Sequence, residues 1–141
     1  WAIIPDEKVV FIGDAVVLDQ PPFLAEAEIP AWLETLDHLE RSYRDFIIIG
    51  SRNGLVTIEQ VQAQKAYLLN AQQLIQEYID TKDQPELMEE LIPELLKGLS
   101  FPNRWREKYR QRLRYGLFQY HSRHYGSAPL IDVPVVPESD I

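Results

Sequence analysis

The sequence predicts an α/β domain over residues 1–81, an all-helical extension over 82–126 and an extended tail over 127–141. Three observations carry this. Strand-like apolar runs at 9–12 and 46–49 alternate with stretches of helical spacing. From Asp83 onward the apolar spacing is helical only. Pro129, Pro134 and Pro137 then punctuate the last stretch, which suits an extended chain.

The first element is a hairpin: Trp1-Ala-Ile-Ile4, a Pro5-Asp6-Glu7-Lys8 turn, then Val9-Val-Phe-Ile12. The second run does not alternate with polar residues, which predicts a strand covered on both faces. Gly13-Asp14 ends it, with 15–18 as a candidate continuation before the loop Asp19-Gln-Pro-Pro22. Pro30 suits a first helical turn, and Trp32, Leu33, Leu36, Leu39 and Tyr43 follow at helical spacing to about Ser42. Phe46-Ile-Ile-Ile49 reads as a second buried strand, followed by the loop Gly50-Ser-Arg-Asn-Gly54. Thr57 and Gln60 form a capping-box pattern, opening a helix from Ile58 to about Asp80 with Val61, Leu68, Ile75 and Ile79 buried. The extension reads as a helix over 85–99, with Leu87, Leu91, Leu95 and Leu99 on one face and a break or kink at Pro93. A last helix runs from Asn103 to about His124, where Trp105, Tyr109 and Leu113 recur every fourth residue.

Composition bounds the function. The 141 residues hold no cysteine, which excludes a disulfide scaffold, a thiolate metal site and a cysteine nucleophile. No run approaches the ~20 apolar residues of a membrane span, so no membrane partner is expected, and cytoplasm is the default compartment. The chain opens on Trp1 without a signal-peptide pattern, which suggests a piece of a longer protein. A formal charge of −8 opposes bulk attraction to nucleic acid. The segment 100–126 nevertheless carries Arg104, Arg106, Lys108, Arg110, Arg112, Arg114 and Arg123 against Glu107 alone. Two readings stand: a cationic face that is solvated or set against the acidic surface of this chain or of a symmetry mate, and a phosphate-binding stripe with steep salt dependence.

Chemistry is expected at the strand ends, where α/β folds place their ligands. Gly13 lets the backbone turn tightly, and Asp14 projects a hard oxygen ligand from a strand; the plain alternative is a capping aspartate in a turn. The loop 50–54, two glycines around three polar residues, shapes either a ligand-binding edge or an ordinary turn. A triad from Ser51, His38 and Asp14 lacks a G-x-S-x-G elbow and is set aside. His121 and His124 share a helix face at a usable ligand spacing, but no nearby acid completes a site, and a structural role is expected of them.

The string Trp1-Ala-Ile-Ile-Pro-Asp-Glu-Lys-Val-Val-Phe-Ile-Gly-Asp-Ala-Val-Val17 resembles the hairpin and "F-x-G-D" strand end of the metallo-β-lactamase superfamily. The helix after it, the strand 46–49, the glycine-containing loop and the helix opening at Thr57 are similar to the succeeding elements of that family, over roughly residues 1–81. The resemblance implies the C-terminal half of an αββα sandwich and metal-dependent hydrolysis of a small molecule by a metal-bound hydroxide, with zinc, iron or manganese as cofactor. Asp14 would then be the metal-bridging carboxylate. The family's H-x-H-x-D-H motif belongs to the other half and does not occur here, so the implied partner is a missing N-terminal half, and the chain alone would be inert. The family's loop usually reads Pro-Gly-His-Gly. Here its histidine position falls on Asn53 or on Ser51, depending on which glycine is aligned. Asn53 would offer an amide oxygen, and Arg52 would hold an anionic substrate group beside Ser51.

A half-sandwich would leave sheet edges and apolar faces uncovered, so homo-oligomerisation is expected by dimerisation or strand exchange. The competing reading is a non-catalytic interaction module whose arginine- and aromatic-rich helix serves assembly or an anionic partner, nucleic acid included.

Overall fold

A computed structural model describes residues 1–52 and 54–126. It is mixed α/β, with four α-helices and a four-stranded sheet whose strands lie side by side in chain order. Two compact units divide the chain: Trp1–Leu18 with Glu28–Asn70, and Asp19–Ala27 with the described residues from Ala71 on. The tail assigned to 127–141 lies outside the described residues.

In the first unit, β1 (Ala2–Ile4) turns at 5–8 and pairs antiparallel with β2 (Val9–Gly13), as the hairpin reading expects. α1 (Ile29–Ser42) then lies in the chain between β2 and β3 (Ile47–Gly50), which pair in parallel. That order is the βαβ arrangement, which brings the C-terminal ends of both strands to the same side. Residues 14–18 do not continue β2. They form a turn and loop in which Val16 and Val17 are buried. One strand escaped the sequence reading: β4 (Gly54–Val56) folds back antiparallel on β3, so the loop after β3 closes a hairpin rather than leading straight into a helix. Three residues are too short a run to show a period.

α2 (Ile58–Thr81) opens with the capping box that Thr57 and Gln60 spell. The Gln60 backbone N–H donates to Thr57 Oγ1 at 3.1 Å, and the Thr57 N–H to Gln60 Oε1 at 2.8 Å. Leu36 and Leu39 of α1 are fully buried, as are Val61 and Leu68 of α2 and Val10 of β2. Lys65 of α2 bridges Asp37 and Glu40 of α1. The Lys65 hydrogen bond holds the Asp37 carboxyl below its usual range, and the Gln62 amide followed by Lys65 does the same for Glu40. Both carboxyls are depressed in the folded chain, so their contribution is present above pH ~4 and is lost as pH falls through the folded values. Urea midpoints measured at pH 7 and pH 3 should therefore differ less in Lys65→Met than in the wild type.

The second unit departs from the expected leucine stripe. Instead of one helix over 85–99, a 3-10 helix (Pro85–Leu91) precedes α3 (Ile92–Lys97). Pro93 sits in the first turn of α3, where its missing N–H costs no hydrogen bond, so it starts a helix rather than kinking one. The buried residues are accordingly Met88, Ile92, Leu95 and Leu96, while Leu87 is 38% exposed. A short 3-10 helix (Asn103–Trp105) leads into α4 (Arg106–Tyr125), whose Tyr109, Leu113, Leu117 and Phe118 are buried.

α4 also explains the irregular segment 19–27. Gln20, Pro21, Pro22, Leu24 and Ala25 are buried there without strand or helix. Buried carbonyls with no ladder need donors, and basic side chains of α4 supply them. Arg112 Nε donates to Pro21 O at 3.1 Å, Arg123 to Ala25 O at 3.3 Å and His124 to Ala27 O at 3.0 Å. Gly116 admits the segment closely, since a Cβ there would stand 3.2 Å from Leu24 Cβ. Among the described residues no helix is long and apolar enough to cross a membrane.

Candidate functional site at the ends of β2 and β3

The parallel pairing brings Asp14 and the loop after β3 together, as the sequence predicts. The Ser51 N–H donates to Gly13 O at 3.0 Å, which extends the β2–β3 contact past the last strand residue. Ser51 Oγ donates to Asp14 Oδ1, and Arg52 Nε lies 3.4 Å from the same oxygen. Asp14 is 42% exposed and Arg52 23%, so the group opens to solvent on the carboxylate side. Asn53 lies outside the described residues.

Local backbone chemistry sets this geometry. Gly13 has φ +61 and Gly54 φ +71, the left-handed region that side chains pay ~1–2 kcal/mol to enter. The register slips between Phe11 and Gly13, which face Ile49 and Gly50. The irregularity falls immediately before Asp14, at the end of the strand.

Two further side chains hold the 14–18 loop and were missed as site residues. Trp32 Nε1 of α1 donates to Ala15 O at 2.8 Å, and Gln64 Oε1 of α2 accepts the Val17 N–H at 2.9 Å. Gln64 is only 4% exposed. The signal was available: Gln64 lies three residues after Val61 and four before Leu68, on the buried stripe, where a polar side chain requires a partner.

No family model, curated protein or solved structure matches the chain.

The donor set does not by itself make a metal centre. Asp14 already faces a guanidinium and a hydroxyl, and among the described residues no group of three His, Cys, Asp or Glu side chains gathers to hold an ion. His38 Nδ1 is 3.2 Å from Ser42 Oγ and its ring stacks on Trp1. His121 Nε2 lies 3.1 Å from Asp83 Oδ1, whereas His124 is spent on the Ala27 carbonyl. These two therefore act on different groups.

The basic helix is largely engaged as well. Arg110 grips Glu107 through two hydrogen bonds of 2.8 and 2.9 Å, and this contact, with Gln111 second, pulls the Glu107 carboxyl down to about 2. Arg114 reaches Glu89 at 3.2 Å, and Arg112 lies inside the core with its guanidinium 5.2 Å from the Phe23 ring. Arg104 and Lys108 both lie over Trp105, and Arg106 over Phe101. Arg104 and Arg106 remain exposed, whereas Arg112 is buried.

Proposed function

We propose that the chain is the C-terminal portion of a metallo-β-lactamase-like metal-dependent hydrolase and is catalytically inert by itself. The observation that carries this reading is the juxtaposition of Asp14 with Ser51 and Arg52 at the ends of two parallel strands. A βαβ unit presenting a strand-end carboxylate beside a polar loop is the arrangement the resemblance implies. The remaining ligands and the attacking hydroxide would belong to an upstream half carrying H-x-H-x-D-H. Within this chain Asp14 supplies one carboxylate, Ser51 fixes its orientation, and Arg52 places a cation where an anionic substrate group would arrive. The decisive check is the coding sequence upstream of Trp1: an H-x-H-x-D-H motif supports the hydrolase reading, and its absence from the parent overturns it.

The contact between Asp14 and Arg52 favours a second reading, a non-catalytic interaction module. A guanidinium beside the carboxylate supplies the positive charge that a metal would otherwise bring. Elemental analysis of the gel-filtered chain, with Asp14→Ala prepared identically, tests the module reading, whereas the upstream sequence tests the hydrolase reading. The chain alone is expected to retain no stoichiometric zinc, iron or manganese in either form. Metal that is held by the wild type and lost in Asp14→Ala would overturn the module reading.

A further inference from the structure

The run Val9 to Ile12, expected to be covered on both faces, is buried at Val10 and Ile12 but leaves Phe11 40% exposed. The apolar side chains of that face do not specify an occupant. A small cleft in the second unit does. It has a volume of about 250 Å³ and is lined by Glu89, Ile92, Pro93, Leu96, Arg106 and Arg110. Ile92, Pro93 and Leu96 belong to α3, and Arg106 and Arg110 stand one turn apart on α4, so the lining joins an aliphatic wall to a cationic one. All six residues follow position 82, so the cleft is no part of the Asp14 group and does not rest on the hydrolase reading. Its charges do not cancel. Glu89 is 3.2 Å from Arg114, and Arg110 holds Glu107 at 2.8 Å. Arg106 forms no ion pair among the described residues: its Nε donates to Asn103 Oδ1 at 3.3 Å, and its guanidinium lies 5.3 Å from the centre of the Phe101 ring. These contacts position the guanidinium without neutralising it.

We propose that this cleft binds a small apolar carboxylic acid, its carboxylate held by Arg106 and its hydrocarbon body laid against Ile92, Pro93 and Leu96. A planar guanidinium offers two parallel N–H donors to a carboxylate, and an aliphatic wall takes the hydrocarbon out of water. Charge selects a monoanion. With Glu89 in the same lining, a second negative charge on the ligand would be repelled, which places a monocarboxylate above a phosphate. Size limits the body. The cleft lies just below the ~300–1,000 Å³ of most small-molecule sites, so it takes a short acyl chain or a single ring rather than a peptide segment. Arg104 is the matching cation outside the lining: it too forms no ion pair among the described residues and lies over Trp105.

The experiment is a titration of the 141-residue chain with hexanoate, followed by backbone amide chemical shifts, beside hexanamide, acetate and inorganic phosphate and with the variants Arg106→Gln and Arg104→Gln. The expected result is a saturable shift for hexanoate centred on residues 89–96 and 106–110. Hexanamide, and hexanoate on Arg106→Gln, should bind roughly tenfold or more weakly, whereas Arg104→Gln should stay within about twofold of the wild type. Acetate and phosphate should both bind more weakly than hexanoate. Arg106 is exposed, so its replacement spares the core, and the amide comparison needs no variant at all. Absence of a saturable shift at these residues overturns the proposal. So does equal binding of hexanamide, which would make the carboxylate irrelevant, or equal weakening by Arg104→Gln, which would make the attraction diffuse. Phosphate or acetate bound as tightly as hexanoate also overturns it, since the aliphatic wall would then play no part.

Discussion

Leu36→Ala is expected to lower the free energy of unfolding by about 2–5 kcal/mol, seen as a lower urea midpoint at an unchanged slope. Leu36 is fully buried on α1, the helix that links the two parallel strands. Truncation removes apolar contact and leaves a space that the surrounding core fills only in part. Against a typical total of ~5–15 kcal/mol, that loss is enough to populate unfolded chain. The effect reaches the candidate site because Asp14 and Ser51 meet only while β2 and β3 are held in parallel register. Glu34→Ala, on the exposed side of the same helix, should stay within about 0.5 kcal/mol of the wild type.

The second large effect is expected from Gln64→Leu. Its Oε1 is the acceptor for the Val17 N–H inside the 14–18 loop, at 2.9 Å and buried. Leucine is close in size and keeps the apolar packing, but it orphans that N–H at a cost of about 1–3 kcal/mol. The loss should be local as well as global. Amide exchange at Val17 and its loop neighbours should accelerate more than exchange in β1, because Trp32, through Ala15 O, would then be left to hold the loop. Uniform acceleration across the sheet would mean that Gln64 supports the fold generally rather than positioning the Asp14 loop.

Much of this was legible in the sequence because it is written in short-range chemistry. The hairpin turn at 5–8, the proline opening α1 and the Thr57/Gln60 box each state their structure within four residues. The approach of Asp14 to the loop after β3 was legible too, since a strand, helix, strand order places two strand ends together whatever the details. Less legible were the features that depend on distant partners. Pro93 reads as a break or kink in one helix, and only the preceding 3-10 turn makes it a helix start. The arginines of α4 read either as a cationic face against an acidic surface or as a phosphate-binding stripe. Two of them, Arg112 and Arg123, instead serve the carbonyls of 19–27, a segment roughly ninety residues away in the chain, and no local pattern announces such a pairing.

By itself, the sequence determined the mixed α/β class, the order of the main elements and the pairing of a strand-end aspartate with a polar loop. Periodicity, capping and turn chemistry act between near neighbours, and near neighbours are visible along the chain. The tertiary structure decided the fourth strand, the register shift just before Asp14, the Arg52 contact on its carboxylate, and which apolar side chains face solvent. An unbroken run such as Val-Val-Phe-Ile looks the same whether one face or two are covered. Coverage depends on what packs above the sheet, and that is a property of the assembled chain and its partners rather than of the strand.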